Sequence, residues 1–196
     1  FACAGLASKG DIFIENAVQE NLITFLNTVR RVGGKFEVKE NGIRFYYDGE
    51  FKSIPIETNV HPGFMTDWQQ PFVILMTQAS GISIVHETVY EERFGYVSEL
   101  IKMGAEIELY DTCLGGLECR FANTHYFHSA VIKGPTALHS AEINVPDLRA
   151  GFSYLIAGVI AKGESTVNGA VYIDRGYEEI DKKLRDLGAD IKRIEN

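Results

Sequence analysis

The stretch GISIVHETVYEERFGYVSELIKMGAEIEL, residues 81–109, shows the pattern that decides the fold. It starts at Gly81 with the alternation of a strand, continues with apolar residues at helical spacing, and returns to alternation after Gly104. Residues 10–38 and 163–191 repeat this order, and the distances from first to second glycine are 23, 23 and 25 residues. We therefore predict three strand–helix–strand units, in which a left-handed glycine ends each helix (Gly33, Gly104 and Gly188).

A further helix precedes the second and third units. Its apolar positions in the two units are offset by 80 residues: Trp68, Phe72, Leu75, Met76 and Ala79 match Leu148, Phe152, Leu155, Ile156 and Val159. Residues 1–8 are expected to be the end of the same helix in the first unit, which implies truncation there. With further strands predicted at 43–47 and 130–132, we expect one α/β (α+β) domain of three units, about 1–60, 61–140 and 141–196, with helices inside and sheets outside or the reverse.

Composition places the chain among globular proteins. Its 196 residues include 19 Lys and Arg against 27 Asp and Glu, a net charge of −8, which argues against nonspecific nucleic-acid binding. Without an apolar run of 18 residues or a basic, apolar N-terminus, we expect no membrane partner and no signal peptide. Three sparse cysteines do not indicate a disulfide framework, so we expect reduced thiols and a cytoplasmic location.

The histidines and cysteines give a weak signal for metal binding. Cys113 and Cys119 lie near His125 and His128, but this spacing matches no standard zinc pattern, so we expect no metal and no cofactor. His61, His86 and His139 are interpreted as isolated residues that are structural or exposed.

The residues 66–69 have the pattern of a capping box, with Thr66 and Gln69 at its ends. It would place Asp67 at the first helical position, where the helix dipole favours a carboxylate. The alternative interpretation is a general base that projects into a cleft. The spacing alone favours the first of these.

Three arginines are predicted near helix starts, where the helix dipole disfavours a positive charge: Arg93, Arg149 and Arg175. One interpretation is solvated faces, or ion pairs with the neighbouring Glu91, Asp147 and Asp174. The other is an anion site in which guanidinium groups bind phosphate or carboxylate. The repeated placement leaves both interpretations open.

Six motifs in order along the chain resemble one family. They are PGFMTDWQ at 62–69, HETVYEERF at 86–94, MGAEI at 103–107, GPT at 134–136, DLRA at 147–150 and DRGYE at 174–178. Together they resemble the UDP-N-acetylglucosamine 1-carboxyvinyltransferases of the enolpyruvyl transferase family, over essentially the whole chain. The resemblance implies an inside-out α/β barrel-like domain of three βαβαββ-type units with buried helices. It also implies that residues 1–196 are one domain of a two-domain bacterial enzyme in the cytoplasm.

The resemblance implies an activity and its partners. The family transfers the enolpyruvyl group of phosphoenolpyruvate to the 3-hydroxyl of UDP-N-acetylglucosamine, which releases phosphate and begins peptidoglycan precursor synthesis. The mobile loop with the family's catalytic cysteine belongs to the other domain, so we expect the isolated chain to be inactive. None of the cysteines matches that loop motif, and none receives a catalytic role.

The resemblance also implies roles for particular residues. Asp67 matches the proposed base that contacts the sugar hydroxyl, and Val89 matches a residue that contacts the UDP-sugar. The phosphoenolpyruvate side of the cleft would carry Arg93, Arg149 and Arg175, with Asp147 beside them. Three residues near these positions differ from those common in the family, and they could alter the pocket shape: Met65, Trp68 and Glu92.

Two other functions remain open from the sequence. One is an enzyme like 3-phosphoshikimate 1-carboxyvinyltransferase, which has the same fold and anion chemistry. The other is a non-catalytic binding module that retains the fold, because a fold does not by itself imply a function.

Overall fold

The structure is a computed structural model that describes residues 1–116 and 118–194. The first part contains α1 (Ala2–Ala7), β1 (Asp11–Glu15), α2 (Ile23–Val32), β2 (Lys35–Lys39) and β3 (Gly42–Tyr46). The middle part contains β4 (Pro55–Glu57), α3 (Thr66–Met76), β5 (Gly81–His86), α4 (Val97–Lys102), β6 (Glu106–Tyr110) and β7 (Ser129–Gly134). The last part contains β8 (Glu142–Asn144), α5 (Leu148–Ile160), β9 (Thr166–Asn168), α6 (Ala170–Asp174) and α7 (Ile180–Asp186).

The described strands form three separate sheets and no closed barrel. The first sheet is antiparallel with the order β1-β3-β2. The second has the order β4-β5-β7-β6, in which β4 is parallel to β5 and the other pairs are antiparallel. The third pairs β8 with β9 in parallel. The sequence did not predict β4 and β8, because three residues are too few to show an alternation.

The core lies around the three helices that precede β1, β5 and β9. These helices, α1, α3 and α5, contact one another. Residues 72–76 of α3 and 150–157 of α5 are buried, as expected for helices that are apolar on nearly every side. The Phe72 ring packs edge-on against Phe25 and Phe64, with centroids 5.9 and 5.4 Å away. The prediction of an α/β fold with buried helices is therefore confirmed.

The three predicted glycine caps are also confirmed. Gly33, Gly104 and Gly188 have φ angles of 99°, 90° and 99°, in the left-handed region where a side chain is strained. At the end of α2, the amides of Gly33 and Gly34 donate to the last-turn carbonyls at 3.2 and 2.9 Å. Each helix thus ends at the glycine that the sequence pattern indicated.

The strand predicted after Gly188 is wrong, because the described residues there, 189–194, contain no strand. In the first two sheets the strand after the glycine is held by the antiparallel strand that follows, β3 or β7. No described strand follows here to satisfy the ladder hydrogen bonds, and the carbonyl of Ile191 accepts instead from Arg185 at 3.2 Å.

Three apolar positions that helical spacing assigned to the inner faces of helices are exposed rather than buried, namely Ile101, Val159 and Leu187. The first has a clear cause. A 3₁₀ turn (Arg93–Tyr96) leads into α4, and its three residues per turn place Phe94, Val97 and Leu100 on the inner face. The sequence pattern assumed an α-helical period throughout and so selected the residue one position further.

No helix of the described residues is long and apolar enough to cross a bilayer. The longest of them, α5, has 13 residues.

Candidate functional site

Asp67 lies in the first turn of α3, but the predicted capping box is not formed. The helix begins at Thr66 after Met65, and it has no side-chain cap. Thr66 Oγ1 and Gln69 Nε2 instead donate to the Glu87 carboxylate, at 3.0 and 3.1 Å. Asp67 is therefore the second helical residue rather than the first, and its side chain is 69% exposed.

The Glu87 carboxylate connects the start of α3 to the loop that follows β5. It is fully buried and accepts five hydrogen bonds, three on Oε1 and two on Oε2. The donors to Oε1 are Thr58 Oγ1 at 2.9 Å and the amides of Val89 and Tyr90 at 2.8 and 3.0 Å. Sequence reasoning gave Glu87 no role, although an acidic residue directly after a buried strand was an available signal.

Two arginines converge on Asp67. Arg93 Nη2 donates to Asp67 Oδ1 at 2.5 Å, and Arg149 Nε lies 3.5 Å from the same oxygen. The Arg93 side chain is only 3% exposed, whereas that of Arg149 is about half exposed. Both guanidinium groups also lie over the ring of Tyr90, at 5.1 and 5.8 Å from its centroid. The site thus combines one carboxylate with two positive charges.

The ion pairs considered for the arginines do not form with the expected partners. Glu91 pairs with Arg120 at 3.3 Å, and Asp174 pairs with Arg193 at 2.6 Å. Asp147 accepts hydrogen bonds from two first-turn amides of α5, at 2.6 and 3.1 Å, and so caps that helix. Its carboxylate therefore fixes the helix turn that carries one of the two converging arginines.

Arg175 does not share the Asp67 carboxylate with the other two arginines. It is an exposed residue that ends α6 and does not start a helix, so the expected placement is wrong. No carboxylate of the described residues lies within ion-pair distance of it. Its neighbours Gly176 and Tyr177, however, line the same cavity as Asp67.

Two cavities adjoin Arg149. The larger, of about 320 Å³, is lined by Asp67, Arg149, Tyr177 and several largely apolar residues. The smaller, of about 200 Å³, lies by Arg93 and is also lined by Arg149 and Asp147. Burial raises the pKa of Tyr177 and the charge of Asp67 raises it further, so the phenol is a hydrogen-bond donor at neutral pH. Cations, a carboxylate and a phenol thus face small cavities, as in sites that bind polar ligands.

The three residues that differ from those common in the family, Met65, Trp68 and Glu92, lie at different distances from the cavities. Trp68 packs edge-on against Phe25 and Phe64, with centroids 5.4 and 5.5 Å away, and belongs to the core. Met65 has extended backbone before α3. Glu92 lines the smaller cavity, so it alone of the three contributes to a cavity wall described here.

A second cluster of reactive side chains lies at the end of the four-stranded sheet. It consists of His86, Cys113, Cys119 and His128. The interpretation of His86 as isolated is wrong, because this residue from β5 meets the two cysteines across the sheet. His125, which the sequence placed near them, is exposed and lies outside the cluster.

Comparison with known proteins places the chain in a family. A family model described as EPSP synthase (3-phosphoshikimate 1-carboxyvinyltransferase) matches residues 1–184. The UDP-N-acetylglucosamine 1-carboxyvinyltransferase of Protochlamydia amoebophila is 56% identical over 193 residues, 98% of this chain and 42% of that protein. The same enzyme of Chlamydia trachomatis serovar D is 48% identical, over 97% of this chain and 44% of that protein. The resemblance inferred from the motifs is thereby confirmed.

Solved structures share the fold at low identity. The enolpyruvyl transferase NikO from Streptomyces tendae matches 97% of this chain and 42% of its own, with a TM-score of 0.81 and 22% identity. EPSP synthase from Acinetobacter baumannii matches the whole chain and 42% of its own, with a TM-score of 0.67 and 17% identity. The chain spans less than half the length of the relatives it matches. By its match over residues 1–184, the chain belongs to the EPSP synthase (3-phosphoshikimate 1-carboxyvinyltransferase) family.

Proposed function

We propose that this chain is one domain of a two-domain enzyme that transfers the enolpyruvyl group of phosphoenolpyruvate to the 3-hydroxyl of UDP-N-acetylglucosamine. The observation that carries the proposal is the convergence of Arg93 and Arg149 on Asp67 beside two cavities. The names of the relatives at 56% and 48% identity support this acceptor over shikimate 3-phosphate. The coverage of 42–44% of those relatives supports the two-domain organisation.

Asp67 is suited to remove the proton of the sugar hydroxyl. Both guanidinium contacts fall on Oδ1, and no hydrogen bond from the described residues reaches Oδ2. Its side chain is largely exposed, so an acceptor hydroxyl can approach it. In the reaction, the hydroxyl oxygen attacks C2 of phosphoenolpyruvate while another group delivers a proton to its methylene carbon. Loss of phosphate from C2 and of a proton from the new methyl group then restores the carbon–carbon double bond and leaves the enolpyruvyl ether of the sugar.

Arg93 and Arg149 are suited to bind the phosphate and carboxylate of phosphoenolpyruvate. Guanidinium groups fit both anions and stabilise the charge of the intermediate. The buried Nε of Arg93 has no hydrogen-bond partner among the described residues, so this group retains a donor that is not used within the domain. Arg175 adjoins the larger cavity through Gly176 and Tyr177, and we assign it to the same anion.

Two further residues complete the proposed binding surface. Val89, whose amide is held by Glu87, would contact the UDP-sugar from the loop after β5. Asp147 would act beside the arginines from the cap of α5. We place the reaction in the bacterial cytoplasm, as the first committed step of peptidoglycan precursor synthesis and hence of cell-wall growth, shape and division. The free state of all three cysteines is consistent with a reducing compartment.

The test is turnover of the longer protein with Asp67→Asn. Phosphate release should fall by about 10²- to 10⁴-fold in kcat, the usual contribution of a positioned base. Asp48→Asn, at an exposed position outside both cavities, is the matched control and should retain the parent kcat. Unchanged turnover in Asp67→Asn would refute the assignment of the base.

Two measurements separate the alternatives. The parent protein should use UDP-N-acetylglucosamine as acceptor, and turnover with shikimate 3-phosphate alone would favour the related enzyme instead. A parent protein that turns over neither acceptor would favour a binding module. The 196-residue chain alone should release no phosphate above blank, because catalytic groups must be held within about 0.5 Å and this chain supplies one wall of the cleft.

A further inference from the structure

We propose that His86, Cys113, Cys119 and His128 bind a structural zinc ion. The four potential ligand atoms lie within 4.8 Å of one another. Two thiolates and two imidazoles are a common donor set of structural zinc sites, which are four-coordinate and tetrahedral. This site lies apart from Asp67 and its arginines, and the proposal does not depend on the enzymatic function.

The spacing of the ligand atoms fits a tetrahedron around zinc. Cys113 Sγ lies 3.5 Å from Cys119 Sγ and 3.5 Å from His128 Nε2. Zinc–sulfur bonds of about 2.3 Å and zinc–nitrogen bonds of about 2.0 Å give tetrahedral edges of roughly 3.5 to 3.8 Å. The three ligands would therefore need little movement to receive the ion.

The hydrogen bonds of the two histidines turn the correct ring atom toward the cluster. His128 Nδ1 lies 2.8 Å from the carbonyl of Tyr126, so this nitrogen carries the proton and Nε2 presents its lone pair. His86 Nδ1 lies 2.9 Å from a carboxylate oxygen of Glu57, which fixes the same tautomer. Carboxylate and carbonyl partners of this kind orient metal-binding histidines.

His86 supplies an independent indication that a ligand is bound. Its side chain is 1% exposed, and Nε2 has no hydrogen-bond partner among the described residues. A buried acceptor without a partner destabilises the folded chain, because its hydrogen bond to water is lost and not replaced. Coordination of a metal ion by Nε2 would remove that cost, which accounts for an otherwise unexplained buried nitrogen.

Backbone amides donate hydrogen bonds to both sulfurs. The amide of Cys119 donates to Cys113 Sγ and the amide of Phe121 donates to Cys119 Sγ, each at 3.4 Å. Hydrogen bonds to ligand atoms and a shell of apolar groups tune metal sites. The buried Phe121 ring lies 6.0 Å from that of His128 and supplies such a shell. A Cβ at Gly115 would lie 2.0 Å from His86 Nδ1, so the loop can pass there only with glycine.

The sheet brings these ligands together from distant parts of the sequence. His86 ends β5 and is paired with Ser129 of β7, so the preceding His128 lies at the same end of the sheet. The cysteines lie in the connection from β6 to β7, whose strands also meet at Ser129. The ion would fasten this connection to the end of β5. Arg120 of the same connection contacts the Val89 carbonyl, so the fastened loop also supports the segment after β5.

The experiment measures metal in the 196-residue chain, purified with a reductant and without a chelator. Elemental analysis should find about one zinc per chain, retained on dialysis. Replacement by Co²⁺ should give the visible bands of tetrahedral cobalt and thiolate-to-cobalt charge transfer. Zinc below a tenth of an equivalent, both as purified and after addition of zinc, would overturn the proposal. So would a Cys113–Cys119 disulfide, detected as a mass lower by two hydrogens, in a metal-free native chain.

Variants identify the ligands. Cys113→Ser and Cys119→Ser should each weaken Co²⁺ binding at least 100-fold and diminish the charge-transfer band, while His125→Ala should bind as the parent does. Glu57→Gln should weaken binding by about 10- to 100-fold and keep the spectrum, as expected for a residue that positions a ligand. The metal content and cobalt spectrum of the unaltered chain test the proposal by themselves, so it can still be refuted if a variant fails to fold. Loss of binding in His125→Ala with retention in Cys113→Ser would overturn the ligand assignment.

Discussion

Replacement of Glu87 by glutamine should destabilise the chain strongly, although the two side chains have nearly the same shape. The carboxylate is fully buried and accepts from three donors on Oε1 and two on Oε2. An amide supplies one oxygen and one NH₂ group. Because two of the donors to Oε1 are backbone amides that cannot accept, the glutamine oxygen must take that position. The NH₂ group then faces Thr66 and Gln69.

The magnitude follows from the donor that loses its acceptor. Thr66 Oγ1 can rotate its hydroxyl and accept, but the Nε2 group of Gln69 cannot. In the native structure, the Tyr96 hydroxyl donates to Gln69 Oε1 at 2.9 Å. If Gln69 turned its amide over, its NH₂ group would face this hydroxyl, and the hydroxyl would lose its acceptor. One buried donor is unpaired in either arrangement, at about 1–3 kcal/mol, and the remaining hydrogen bonds lose their charge assistance. We expect a loss of about 3 kcal/mol in the free energy of unfolding.

The assay is urea unfolding of the parent chain and Glu87→Gln, followed by circular dichroism. With a slope of about 3 kcal/mol per molar, the midpoint should fall by about 1 M. Glu91→Gln, in the same loop but exposed and paired with Arg120, is the matched control and should change stability by less than about 0.5 kcal/mol. A midpoint shift in Glu87→Gln no greater than that of the control would refute the reasoning.

Two further outcomes concern alkaline pH and the core. Burial raises the pKa of Tyr96 well above its usual value near 10. Its contribution to stability is therefore complete below pH 10 and is lost at higher pH, where the unfolded chain ionises first. Tyr96→Phe should reduce the fall in unfolding free energy above pH 10 by about 1.4 kcal/mol per pH unit, as measured by urea unfolding. Phe72→Ala should cost about 3–5 kcal/mol in urea unfolding because its fully buried ring packs against two others, whereas Phe127→Ala, half exposed, should cost less than about 1 kcal/mol. Equal midpoints for the two alanine variants would contradict the packing of Phe72.

Much of the architecture could be predicted from sequence because its causes are local. A glycine with positive φ ends a helix whatever surrounds it, so Gly33, Gly104 and Gly188 marked three helix ends correctly. Strand alternation located β1, β5 and β6 closely, since each has one face toward the core. Prediction failed after Gly188, where no strand of residues 189–194 forms and no described strand pairs with this segment.

The candidate site was predictable only as a set of residues. Asp67, Arg93 and Arg149 were named from their motifs, but spacing could not show that the two arginines meet one carboxylate oxygen. In the sequence, Arg93 follows Asp67 by 26 positions and Arg149 follows it by 82. Their contacts depend on where the first turns of α3 and α5 lie relative to the loop after β5. The same sequence reasoning placed Arg175 near a helix start, whereas the structure places it at the end of α6.

The pattern of glycines, strand alternation and helical stripes was sufficient for the α/β class with buried helices, because each signal reflects the backbone conformation and burial of a few adjacent residues. The buried polar connections required the folded chain. The Glu87 carboxylate accepts hydrogen bonds from residues between 58 and 90. The register of β5 and β7 brings His86 close to Cys113 and Cys119, which follow it by 27 and 33 positions. Partners at such distances leave no local periodicity in the sequence, because strand pairing and helix packing, rather than neighbouring residues, bring them together.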